Sequence, residues 1–238
     1  MKYAIDLEQT EWDAIVVGTG MGGGTLGYKL AEAGKHVLFI EKGRSHLQNT
    51  SVLSGQYAEM FFPYVERPEP KHRDILQKAG RWTETIIDAS KTKVNPHIPF
   101  VGSGTGGSSA LYGMVMERFS PVDFGDSRSI EPKEKRGWPI SYADLKPYYE
   151  NAETLYRLRG SVDPLRKEEI GTYLDPPPLA AANKEVYDFL IGKGFNPYQL
   201  PLACDFEHGC QNCQGFLCPK NCRNDSAKIC VAPAINQY

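Results

Sequence analysis

Near its start the chain alternates apolar runs with abrupt polar and glycine breaks, in an order that predicts three elements. Asp13 to Val17 (DAIVV) is a short run of strand-forming residues, and it stops at Gly18, Gly20, Gly22, Gly23 and Gly24. Leu26, Leu30 and Ala33 then recur at helical spacing, Gly34 stands where a C-terminal cap belongs, and Val37 to Ile40 is a second apolar run. The order predicted is strand, tight turn, helix, strand: a βαβ unit.

Further along, the periodicity weakens. Residues 57–70 (YAEMFFPYVERPEP) are aromatic and Pro-rich, and Met60, Phe61 and Phe62 are expected in the core. The polar stretch 125–136 is expected to be a solvated loop. Ser141 with Asp144 three residues on suits a helix N-terminus, Pro147 suits its first turn, and Tyr148, Tyr149, Ala152, Leu155 and Tyr156 fall on one face, which predicts core packing. Residues 161–182, with Pro164 and the run Pro176-Pro177-Pro178, predict an extended connection. Asn183 is the expected cap of a short helix bearing Val186, Phe189 and Leu190 that ends near Gly192 or Gly194. There is no internal repeat.

The glycines change the picture from pattern to chemistry. Gly18-Thr19-Gly20-Met21-Gly22-Gly23 fits G-x-G-x-x-G. In that fingerprint the first glycine makes the turn, the second lets backbone approach a pyrophosphate, and the third lets helix and strand pack closely. The helix starts inside the turn, so its free N–H groups and positive dipole end face the phosphates. Glu41 closes the second strand roughly 20 residues on, where a carboxylate accepts hydrogen bonds from a ribose 2′-hydroxyl and repels a 2′-phosphate. Dinucleotide binding is predicted; the βαβ unit alone does not separate FAD from NAD.

A second glycine-rich stretch follows Val101 and runs from Gly102 to Met114 (GSGTGGSSALYGM). Such a segment either is flexible or lies against something that tolerates only bare backbone. Ala110, Leu111, Met114, Val115 and Met116 argue against a solvated linker. The expectation is a second surface against the same cofactor, with backbone amides meeting phosphate or flavin edge atoms; a purely structural packing segment is the alternative.

All six cysteines lie at or after Cys204, which points to one local site rather than a framework stapling the whole fold. The spacing is Cys210-x2-Cys213-x4-Cys218-x3-Cys222, with Pro219 after the third. Cys210, Cys213, Cys218 and Cys222 are close enough in sequence to ligate one metal centre, an iron–sulfur cluster or zinc; local disulfides or free structural thiols are the competing reading.

These stretches together resemble the glucose-methanol-choline (GMC) family of FAD-dependent oxidoreductases. The resemblance is carried by VVGTGMGGGTLGYKLAEAGKHVLFIEKG, by GTGGSSALYGMVMERFSPVDF at 104–124 and by GWPISYADLKPYYENAETLYRLRG at 137–160. It implies an α/β chain: a Rossmann-like FAD-binding domain, incomplete, with a small Cys-rich C-terminal segment. The expected division is an FAD-binding part over 1–160 and the start of a substrate or cap region over 161–238. Gly107, Ser108, Gly113 and Met114 match the loop that runs past the flavin in that family. Tyr112 departs from the asparagine of most members and resembles a Tyr-Gly variant of the cholesterol-oxidase branch. The cysteine stretch is similar to that of members that pass electrons through a cluster to an outside acceptor.

The reaction this resemblance implies is hydride transfer from the CH–OH group of an alcohol, sugar or sterol-like substrate to flavin. The family's catalytic histidine lies in a C-terminal segment that matches nothing here, and His36, His46, His72, His97 and His208 carry no motif for it, so no catalytic residue is assigned. The expectation is the N-terminal portion of a flavoenzyme, as a truncated reading frame, a fragment or one subunit of a split enzyme, with a small-molecule substrate and either a complementary C-terminal chain or an electron acceptor as partners. A non-catalytic FAD- or metal-binding subunit and an NAD-dependent dehydrogenase remain the alternatives. The net charge of −2 and the lack of a dense basic block argue against nucleic acid as a partner. No apolar run approaches the ~18 residues of a membrane span and no apolar leader precedes the first strand, so a cytoplasmic protein is expected.

Overall fold

Ala14–Val17 (β1) and Val37–Ile40 (β2) pair in parallel, Ala14 opposite Val37 and Val17 opposite Ile40, with Met21–Glu32 (α1) crossing between them. The structure is a computed structural model, and it describes residues 7, 9–47, 51–62, 68–90, 94–124, 138–166 and 171–237. The predicted βαβ unit is therefore present. Its helix stops where the sequence placed the stop: Gly34 takes φ 77°, which frees its N–H for the Ala31 carbonyl and that of Lys35 for Leu30. Helix and sheet pack closely because Gly27 has no side chain, since a Cβ there would lie 2.3 Å from the Phe39 ring. Ile15, Val17 and Ile40 on the same two strands are exposed, although parallel strands usually have both faces covered.

Contacts divide the chain into two compact units, Met1–Met114 with Glu207–Tyr238, and Val115–Phe206. This differs from the expected division at 160. The cysteine segment belongs with the glycine turns because its far end bonds back to them, as described below.

In the first unit, Ala58, Leu76, Ala79 and Ile98 form a buried cluster, with Leu53, Phe62, Ile75 and Trp82 packed against it. Arg73–Lys78 (α2) supplies part of this cluster, and Ile86–Asp88 (β3) pairs antiparallel with Asn95–His97 (β4). Of the three residues expected in the core here, only Phe62 packs, stacked on His72 at 4.0 Å between centroids; Met60 is 70% and Phe61 49% exposed. Residues 58–61 form a single 3₁₀ turn, too short to keep three successive side chains on one side. Residues 63–67 of the same stretch lie outside the described residues, as does the predicted loop at 125–136. The unit ends in a π turn, Ala227–Val231, that runs into Ala232–Gln237 (α5).

The second unit holds Tyr142–Leu155 (α3) and Ala181–Gly192 (α4). Ser141 caps α3 reciprocally: its Oγ accepts from the Asp144 N–H at 3.2 Å, and the Asp144 carboxylate accepts from the Ser141 N–H at 2.9 Å. Pro147 lies beyond the first turn of α3. The buried face runs through Glu153 and on to Tyr156, which leaves Tyr148, expected inside, 69% exposed. α4 starts earlier than expected: Ala180 is its N-cap and Asn183 lies in its first turn. The helix begins as soon as the prolines ending at Pro178 stop enforcing extended backbone. It ends as predicted, at Gly192, with Gly194 at φ 80°.

Candidate cofactor site

The first turn of the site is built by Gly18, whose φ of 88° reverses the chain while its N–H donates to the Ile40 carbonyl at 2.7 Å. Gly23 stands where no side chain fits: a Cβ would fall 2.0 Å from the Gly18 oxygen and 3.1 Å from Val16 Cγ1. Gly22 is the opposite case, with nothing within 4 Å of its Cβ position. One glycine thus serves strand-to-helix approach, and another leaves the helix N-terminus bare on its open side.

Thr19, between these glycines, is buried and joins three segments. Its N–H and its hydroxyl both donate to Glu41 Oε2, at 2.9 and 2.6 Å, and the same hydroxyl accepts the N–H of Gly106 at 3.0 Å. The Gly43 N–H donates to Glu41 Oε1 at 3.1 Å. Partial burial raises the Glu41 carboxyl, but the Thr19 hydroxyl and the amides of Thr19, Gly43 and Lys42 outweigh it, so the group is held below its ordinary value. Glu41 is therefore a strut of the loop as well as the acid at the end of β2. The spacing of the fingerprint placed it correctly and did not show this second attachment.

The second glycine-rich stretch lies directly against the first. A Cβ at Gly107 would be 3.2 Å from Gly20 Cα, and one at Gly43 would be 2.2 Å from the Gly104 N. Gly104, at φ 141°, packs its backbone on the Arg44 carbonyl. Ser108 is exposed, its Oγ accepting the Gly102 N–H at 3.0 Å, and Tyr112 donates its hydroxyl to the Asn224 carbonyl at 2.8 Å. Gly113 faces Gln214, and Met114 is buried at φ 65°. Thr19 and Gly20 thus meet the loop carrying Gly106 and Gly107 directly, and Glu41 is joined to it through Thr19, while Ser108 and Tyr112 spend their polar atoms on the protein.

A third segment, missed in the sequence, completes the arrangement. The Ser226 hydroxyl lies 2.8 Å from the Thr19 carbonyl and 3.1 Å from that of Gly20, and its N–H donates to Ser109 Oγ at 3.1 Å. Arg223, among the most deeply buried residues, donates to the carbonyls of Ala110, Phe216 and Cys213. The run Arg-Asn-Asp-Ser after Cys222 was visible, but no local spacing connects it to a turn at residue 19.

The four cysteines lie within one another's influence: Cys213 interacts with Cys218 and Cys210, Cys222 interacts with Cys210 and Cys218, and the Cys222 N–H donates to Cys218 Sγ at 3.3 Å. Among the described residues, no group of three or more His, Cys, Asp or Glu side chains is arranged to hold a metal ion. No disulfide joins the four thiols expected as ligands. Burial pushes the Cys222 thiol up to about 12. For Cys218 burial acts the same way but loses to the amides of Arg223, Cys222 and Lys220, which favour its thiolate. Beside this loop is a cavity of about 380 Å³ lined in part by His46, Cys218, Asp225 and Lys228. Burial raises the Asp225 carboxyl and lowers the His46 imidazole.

Residues 13–84 match the FAD binding domain family. The chain is 28% identical over 173 residues to 2-methyl-1,2-propanediol dehydrogenase of Mycolicibacterium austroafricanum, covering 69% of this chain and 28% of that protein. It is 26% identical over 271 residues to the gluconate 2-dehydrogenase flavoprotein of Pantoea cypripedii, covering 94% and 42%. With an oxygen-dependent choline dehydrogenase of Pseudomonas savastanoi pv. phaseolicola it shares 30% identity over 155 residues, covering 61% and 23%. The chain therefore spans between 23% and 42% of the length of these relatives. No helix among the described residues is long and apolar enough to cross a membrane.

Proposed function

We propose, for a chain that carries an FAD-binding domain and is GMC-like over the part it spans, that it binds FAD across its two glycine turns for oxidation of a CH–OH group in an alcohol- or sugar-type substrate. The observation that carries this reading is the direct contact of the two turns through Thr19, Glu41 and Gly106, which gives both glycine stretches a single role. The local geometry fits the cofactor: Gly23 closes strand on helix, Gly22 opens outward, and the first amides of α1 have no carbonyl one turn back to bond. FAD, when bound, supplies the hydride acceptor.

This chain's own residues bind and orient. With FAD bound, the amides of Gly20, Met21 and Gly22 would hold the pyrophosphate, Glu41 would hold the turn and exclude a 2′-phosphate, and the backbone from Gly107 to Met114 would contact the flavin. No base is assigned to it. A nicotinamide-dependent dehydrogenase would account for the first turn equally well but would leave residues 102–114 without a role.

The test is an anaerobic absorption spectrum of the purified protein with iron and zinc analysis on the same sample. A flavin band near ~450 nm is expected. A colourless protein that takes up no added FAD, or one that retains NAD instead, would refute the reading. Stoichiometric iron with broad visible absorbance would show the four cysteines holding a cluster.

A further inference from the structure

We propose that Ser226 is a positioning residue of the dinucleotide site, its buried hydroxyl fixing the peptide planes of the first glycine turn so that the Gly20 amide faces the pyrophosphate. The inference rests on the FAD reading above. It starts from how each peptide plane of the turn is held. The plane between Gly18 and Thr19 is fixed by the Thr19 N–H, which donates to Glu41 Oε2 at 2.9 Å. That amide is committed to the protein and is not free for phosphate. The plane between Gly20 and Met21 is fixed by the helix, because the Gly20 carbonyl accepts the Gly24 N–H at 2.8 Å.

The remaining plane, between Thr19 and Gly20, has neither support. The group that holds it is the Ser226 hydroxyl, 2.8 Å from the Thr19 oxygen. In a trans peptide the carbonyl and the N–H point in opposite directions. Turning the Thr19 carbonyl inward to Ser226 therefore turns the Gly20 N–H outward, beside that of Met21. The hydroxyl is itself held: Ser226 is fully buried, and its N–H bonds to Ser109 Oγ, which in turn donates to the Gly106 carbonyl at 2.6 Å. Gly24 makes this approach possible, since a Cβ there would lie 1.9 Å from Ser226 Oγ. This gives the fifth glycine of the cluster a purpose that G-x-G-x-x-G does not include.

Two measurements test the assignment. In the first, FAD affinity and the ³¹P spectrum of bound FAD are compared between the protein and Ser226→Ala. Affinity about tenfold weaker is expected, as for loss of one well-placed hydrogen bond, together with shifted pyrophosphate resonances. A variant that melts earlier yet binds FAD with unchanged affinity and unchanged ³¹P signals would show a merely structural serine and overturn the proposal.

The second measurement uses the unaltered protein, so it stands even where the variant does not fold. On adding FAD to ¹⁵N-labelled protein, the amide protons of Gly20 and Met21 are expected to move downfield and that of Thr19 to stay. Movement of Thr19 with Gly20 unmoved would overturn the proposal. Unaltered protein that binds no FAD would instead overturn the cofactor reading, and the positioning role with it.

Discussion

Gly22 and Gly23 are adjacent and chemically identical, yet the structure makes opposite demands on them. An alanine methyl at Gly23 meets the Gly18 backbone oxygen at 2.0 Å, and backbone in a tight turn cannot step aside. Gly23→Ala is expected to lose about 1–3 kcal/mol of stability or more and to lose FAD binding, checked by chemical denaturation and flavin titration. Gly22→Ala meets nothing, so its stability should stay level or rise slightly, and any loss should be confined to FAD affinity. Glu41 makes a pH prediction. Its carboxyl is held below its ordinary value of 4.5, so its contribution is fully present above that pH and is lost as pH falls through the lowered folded value. Urea melts between pH 7 and pH 3 should show that loss in the native protein and a flatter profile in Glu41→Gln. An equal acid dependence in both would refute the strut.

At the scale of the element, α3 illustrates how a polar residue can define a helix face. Arg118 Nε and Nη2 donate to the two Glu153 oxygens at 2.5 and 2.7 Å, and both side chains are almost wholly buried. The pair holds the Arg118 guanidinium above its ordinary value, the Glu153 hydrogen bond being the largest cause. Replacing both partners with apolar groups could be neutral, but removing one leaves a buried charge alone. Glu153→Ala is therefore expected to cost about 3–5 kcal/mol, measured as a shift in the denaturation midpoint. Gly171 closes this site, as a Cβ there would fall 1.5 Å from Glu153 Oε2. An aromatic stripe suggested Tyr148 as part of the buried face; the ion pair at Glu153, with Tyr156 beyond it, shows that the buried stripe is rotated away from Tyr148.

Across the whole molecule, the proposed dinucleotide site depends on a segment that a linear reading assigns elsewhere. Deleting residues 207–238 keeps both glycine stretches and Glu41 but removes Arg223, Asn224 and Ser226, which hold those stretches from behind. Such a truncation is expected to bind no FAD in fluorescence titrations, whereas a division at 160 would leave binding intact. What the sequence determined by itself is the β1–α1–β2 unit, the turn at Gly18, the stop at Gly34 and the acid at Glu41. Each rests on local period or on backbone geometry only glycine adopts readily, and both are written in neighbouring residues. The tertiary structure alone decided that Thr19 would bind Glu41 across 22 positions and that Ser226 would reach Thr19 across 207. Those contacts form when distant segments pack into one unit, and no spacing along the chain encodes which carbonyl a buried hydroxyl will meet.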